Sequence, residues 1–157
     1  MCETGFVSRV PFTLQHVCMA AHGPLTGTVI SRGTFDVSSL SGDFVGAVLN
    51  RGVRLAFGGA GMDGMETIVF RGIRCVNRSA SQIKCFGDHH ETLAFKHLRG
   101  KPRGIYTFAL RAAGQAVGPT FLREPVTIDL SLGLADVGAE ITRCNVSATQ
   151  SSIVCRP

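Results

Sequence analysis

Residues 74 to 85 read RCVNRSASQIKC, and residues 143 to 155 read RCNVSATQSSIVC. The chain thus states one cysteine-bounded pattern twice. Each copy runs Arg, Cys, a nearby Asn, then Ser-Ala-Ser/Thr-Gln, an Ile and a closing Cys. Nine residues separate Cys75 from Cys85, and ten separate Cys144 from Cys155. The apolar residues beside each cysteine are strand formers, and the middle is polar. Two strands joined by a short loop account for both, and paired strand ends bring cysteines within disulfide reach. The zinc alternative needs closer ligands, such as Cys-x2-Cys, and none occurs. We therefore expect bridges within Cys75/Cys85 and Cys144/Cys155. Cys2 and Cys18 remain, to pair with each other or with a cysteine outside this sequence.

The similarity extends upstream of the cysteines. Val53-Arg-Leu-Ala-Phe and a Gly61-Met-Asp-Gly turn precede the first copy. Val126-Thr-Ile-Asp-Leu and Gly133-Leu-Ala-Asp-Val-Gly precede the second. The period is about 70 residues. Around the repeat, short apolar segments alternate with Gly, Pro, Asn and Asp. Strands are expected at Thr26–Ile30, Phe44–Leu49, Val53–Phe57, Glu66–Phe70, Ile73–Asn77, Gln82–Phe86, Ile105–Ala112, Val126–Leu130, Ile141–Val146 and Ser152–Cys155. Within Ile105–Arg111, the residues Tyr106, Phe108 and Leu110 share one face, and Ile105, Thr107, Ala109 and Arg111 the other. The helix candidate is Glu91–Leu98. Many short strands at close spacing imply an all-β chain forming an antiparallel sandwich.

With 157 residues, 45% of them hydrophobic, a packed core is attainable. A net charge of +5 permits acidic partners without demanding one. There is no run of 18 apolar residues that would cross a membrane as a helix. The N-terminal stretch lacks the basic start and apolar run of a signal peptide, whereas the cysteines lean towards an oxidising compartment. A piece of a longer secreted chain reconciles the two. Asn77-Arg-Ser and Asn145-Val-Ser are N-glycosylation sequons, each just inside a cysteine pair.

Other motifs carry less chemistry. Asp88-His-His-Glu-Thr-Leu-Ala-Phe-Lys-His97 holds metal-ligating residue types at no known spacing, and reads as a solvated loop. Lys96, Arg99, Lys101 and Arg103 form a basic run fit for an anion or a sulfated glycan, or an ordinary exposed loop. Gly58–Gly64 lacks the Lys-Ser/Thr of a phosphate loop. No Gly-x-Ser-x-Gly and no framed carboxylate pair occur. No catalytic chemistry, cofactor or metal is expected.

The residues resemble the IPT/TIG family of immunoglobulin-like modules found in plexins, fibrocystin-type proteins and some transcription factors. Thr67-Ile-Val-Phe-Arg-Gly-Ile-Arg-Cys75, then Ser79-Ala-Ser-Gln-Ile-Lys-Cys85, then Gly104-Ile-Tyr-Thr-Phe-Ala-Leu match its successive strands. Cys155-Arg-Pro matches the ending of its cysteine strand. The resemblance implies one complete sandwich over 43–122 and the first part of a second over 123–157. It leaves 1–42 as a segment of uncertain assignment, with the tail of a preceding unit as one reading. It implies a non-enzymatic, extracellular or cell-surface module that binds proteins, or spaces neighbouring modules of a longer chain. A viral or phage structural protein and an intracellular nucleic-acid-associated module are the alternatives. Paired cysteines, and basic residues without interleaved aromatics, argue against nucleic acid.

Overall fold

A computed structural model describes residues 11–21, 27–40, 43–59, 66–79, 81–98, 100, 104–115, 117, 122–133, 136–149 and 151–157. The strands in chain order are β1 (Phe12–Ala20), β2 (Gly27–Asp36), β3 (Val53–Gly58), β4 (Glu66–Phe70), β5 (Cys75–Ser79), β6 (Gln82–Phe86), β7 (Thr92–His97), β8 (Ile105–Gln115), β9 (Val126–Ser131), β10 (Asp136–Ile141), β11 (Cys144–Val146) and β12 (Ser152–Cys155). One helix, α1 (Phe44–Arg51), and a 3-10 turn, Gly72–Arg74, complete the elements. All strand pairs are antiparallel. They form an eight-stranded sheet in the order β11-β12-β1-β2-β8-β7-β6-β5 and a four-stranded sheet in the order β10-β9-β3-β4. The inner faces of both sheets contribute to one apolar core. The chain is an all-β sandwich, as its alternating segments imply.

Alternation decides each face. In β8, Phe108, Leu110 and Ala112 are buried while Ala109 and Arg111 are exposed. In β3, Leu55 and Phe57 point inward. Phe35, Phe44 and Phe95 meet edge-on with ring centroids 5.4–5.8 Å apart, an arrangement that aligns ring edges with ring faces. Gly33 lies opposite Phe108, and a Cβ there would come within 2.5 Å of the Phe108 ring and 2.6 Å of the Thr13 carbonyl. The missing side chain is the space that the ring fills.

Two expected elements exchange type. Phe44–Leu49 is helical: its buried residues Phe44 and Val48 are spaced i, i+4, and do not alternate. Gly52, at φ 73°, ends that helix and donates its N–H to Val48 O. Glu91–Leu98 is not helical but contains β7, where Leu93 and Phe95 alternate inward between β6 and β8. The expected strand Ile141–Val146 is two strands in different sheets. β10 ends at Ile141 in the smaller sheet and β11 begins at Cys144 in the larger one. The same crossing occurs at Gly72–Arg74, so Ile73 sits in the turn, 91% exposed, and not in a strand.

The strand order is symmetric. Exchanging β3–β8 for β9–β12 followed by β1–β2 leaves both strand orders unchanged. The registers obey the same exchange. In the larger sheet Val29 faces Ala112 as Phe108 faces Gly33, and Ile30 faces Arg111 as Ala109 faces Arg32. In the smaller sheet Leu55 faces Leu130 as Ile128 faces Phe57. A pseudo-twofold axis therefore runs through the Ser31/Leu110 pair and the Ala56/Asp129 pair. The unit that starts at β9 is completed by β1 and β2, which stand to β12 as β7 and β8 stand to β6. The boundary expected at 122/123 is accordingly no break in the fold. β9 is hydrogen-bonded to β3, and β12 to β1. The segment left of uncertain assignment, 1–42, supplies β1 and β2, two interior strands of the larger sheet.

Candidate functional site

The cysteine pairs are bridged. Cys75 and Cys85 lie opposite one another on β5 and β6, with Cα atoms 4.0 Å apart. Cys144 and Cys155 do the same on β11 and β12 at 4.1 Å. The bridges thus staple both edge hairpins of the larger sheet. Cys18 is half-buried on β1 and unbridged, and Cys2 lies outside the described residues. Both sequon asparagines are exposed, but they do not occupy matching positions. Asn77 lies opposite Ile83, whereas Asn145 lies opposite Val154, the neighbour of the buried Ile153. With its amide turned to satisfy both, Asn77 donates to Ser79 O and to Gln82 O, the latter at 3.2 Å.

The metal-like segment is occupied by structural contacts. Asp88 meets Arg74 at 3.3 Å and Arg71 at 3.9 Å. Glu91 is buried, accepts the His89 N–H at 2.6 Å and accepts from Gln115 Nε2 at 3.1 Å. Among the described residues no three His, Cys, Asp or Glu side chains are grouped to hold a metal ion. Of the basic run, Lys96 is exposed on β7, and Arg99, Lys101 and Arg103 lie outside the described residues.

The basic residues that the strands do bring together are others. Alternation places Arg32, Arg78, Lys84, Lys96, Arg111 and Arg156 on the outer face of the eight-stranded sheet, against one carboxylate among the described residues, Asp36, at the end of β2. Among the described residues, none of these six cations has a carboxylate within ion-pairing distance. Lys84 Nζ lies 5.5 Å and Arg78 Cζ 6.0 Å from the Phe86 ring centre, so both cations lie over one aromatic ring. A shallow depression of about 440 Å³ between them is lined by Arg32, Arg111, Lys84, His16 and Thr92. Partial burial and the neighbouring Arg32 and Arg156 hold the His16 imidazole below its usual value. Arg32 and Arg111 are related by the pseudo-twofold axis and flank it. No local motif announces this surface, because its members come from five strands and from the residue that follows β12. The faint signal is arginine at outward positions of alternating segments, as in Ile105–Arg111.

The outer face of the smaller sheet has the opposite sign. Asp129, Asp136 and Glu140 stand together there with Gly138, and the Asp129 carboxyl occupies the space above the Gly138 Cα. Desolvation, then repulsion from Asp136 and Glu140, raise the Asp129 carboxyl above 3.8. A raised native value means that the folded chain holds this proton more tightly than the unfolded one. Stability then falls as pH climbs through the raised value. Asp129→Asn should raise the melting temperature at neutral pH by about 1–2 °C, from roughly 0.5 kcal/mol of relieved like-charge repulsion. Below the unfolded carboxylate value the gain should vanish, since the carboxyl is then protonated in both states. Calorimetric melts of both proteins across pH check it, and an equal gain at every pH would contradict this account.

Compared with family models, with curated proteins and with solved structures, the chain has no match.

Proposed function

We propose that this chain is a non-enzymatic, extracellular β-sandwich module of the IPT/TIG type, serving recognition or spacing within a larger cell-surface or secreted protein. The observation that carries the reading is the pair of bridges at equivalent places in the two halves. Disulfides persist in oxidising compartments and are rare in the cytosol. The exposed sequons Asn77 and Asn145 add support. So do the carboxylates Asp88 and Glu91, which are engaged in holding loops together. A rigid sandwich with a basic face is suited to presenting a contact surface.

A non-reducing peptide map of protein from its native source tests this. We expect Cys75–Cys85 and Cys144–Cys155 peptides, with glycan at Asn145 in preference to Asn77. A glycan on Asn77 must give up part of the amide's bonding to Ser79 and Gln82. Free thiols at all four bridge positions, with neither asparagine modified, would move the protein to a reducing compartment and overturn the proposal.

A further inference from the structure

We infer that the outer face of the eight-stranded sheet is a binding site for a linear sulfated glycan, seated across the strands over the Arg32/Arg111 pair. This rests on the extracellular reading and names its ligand class.

The cations form a band, not a scatter. From Arg156 beside β12 to Lys84 on β6 the sheet takes five steps, through β1, β2, β8 and β7. At ~4.8 Å per step that is about 24 Å. Arg32 and Arg111 sit on the two central strands, diagonal to one another, since Ile30 faces Arg111 and Ala109 faces Arg32. A diagonal pair is roughly 7–8 Å apart at the backbone, too far to share one small anion closely and suited to successive groups on a polymer. Guanidinium favours the bidentate contacts that a sulfate oxygen pair offers. Ala94, Ala109 and Ile30 lie between the charges and keep the floor low. Thr92 adds a hydroxyl to the same floor. The pseudo-twofold axis presents an equivalent arginine to a chain running either way.

Single-stranded nucleic acid is the competing polyanion. It needs aromatic platforms for its bases. Among the described residues the rings at these outward positions are Phe86, against which Lys84 and Arg78 already lie, and the His16 imidazole beside Arg32. A saccharide with sulfates and hydroxyls fits a floor of alanine, threonine and arginine better.

The test uses the full oxidised chain and a heparin-derived oligosaccharide, its desulfated form and a single-stranded oligonucleotide of equal charge, by calorimetry or fluorescence anisotropy. We expect binding of the sulfated probe, loss of binding on desulfation, and weakening as salt rises. Arg32→Gln with Arg111→Gln should weaken binding at least about tenfold with the melting temperature unchanged, as removal of two charge-assisted contacts implies. Arg54→Gln, on the opposite sheet, should leave it unchanged. Equal affinity of the Arg32/Arg111 variant, or tighter binding of the oligonucleotide, would overturn the proposal. So would a chain that ignores the sulfated probe and self-associates at low salt, which would assign the basic face to the acidic face of a second copy. The peptide map separates the two readings. Bridges found in native protein with no glycan bound in vitro overturn the ligand alone, whereas free thiols overturn the compartment and the ligand with it.

Discussion

Replacing Cys75 and Cys85 together by serine should lower the stability by about 2–3 kcal/mol, as expected for freeing a loop of this length in the unfolded chain. For a domain of this size that corresponds to roughly a 5–10 °C fall in melting temperature. Cys144→Ser with Cys155→Ser should cost about the same, since the separations are 10 and 11 residues. The four-serine chain should lose close to the sum, because the hairpins stand at opposite edges of one sheet and share no neighbours. Each bridge also pins an edge strand, and β11 has only three residues. Hydrogen exchange should therefore quicken first in β11 when its bridge is gone. Melting curves of the three variants settle the matter. No change in either double variant would remove the claim that the bridges stabilise the fold.

A second large effect concerns how the chain is divided. An isolated fragment 43–122 should fail to fold, although it contains six of the twelve strands found among the described residues. In the intact chain its Leu55 and Phe57 pair with Leu130 and Ile128 of β9, and its Phe108 and Leu110 pair with Gly33 and Ser31 of β2. Cutting the fragment out turns two interior strands, β3 and β8, into edges and uncovers the inner faces of both sheets. A circular permutant, residues 37–157 followed by 1–36, should by contrast fold with a melting temperature within a few degrees of the parent. The turn between β6 and β7 already makes the equivalent connection, and the present C-terminus lies beside β1, with Pro157 and Phe12 lining one depression. Near-ultraviolet circular dichroism and thermal melts of both proteins test this. A cooperative melt of 43–122 alone would show a self-sufficient module and remove the shared-core account.

Much of the fold was legible because strands advertise themselves locally. Leu55 and Phe57, or Phe108 and Leu110, alternate with polar neighbours, and that period is visible without a partner. The hairpins were legible from the cysteines, since two cysteines flanking a polar turn leave little choice. The two exchanged elements failed for a shared reason. Phe44-Val-Gly-Ala-Val-Leu and Thr-Leu-Ala-Phe-Lys-His are short apolar runs, and such runs fit either period. The first has its buried residues, Phe44 and Val48, at helical spacing. The second is drawn out flat because β6 and β8 both offer it hydrogen bonds.

The candidate surface was hidden for a different reason. The run Lys96 to Arg103 is visible in the sequence because its charges are adjacent there. Arg32, Lys84, Arg111 and Arg156 are each isolated cations in separate segments, and only lateral pairing of β12, β1, β2, β8, β7 and β6 gathers them. By itself the sequence determined the all-β class and the paired cysteines, because each is encoded within a dozen neighbouring residues. The tertiary structure alone decided that the N-terminal strands complete the second unit, that the two halves share one core, and that six distant cations form one face. Those outcomes depend on which strand lies beside which, and strand neighbours are chosen by burial of whole faces, not by any local stretch of chain.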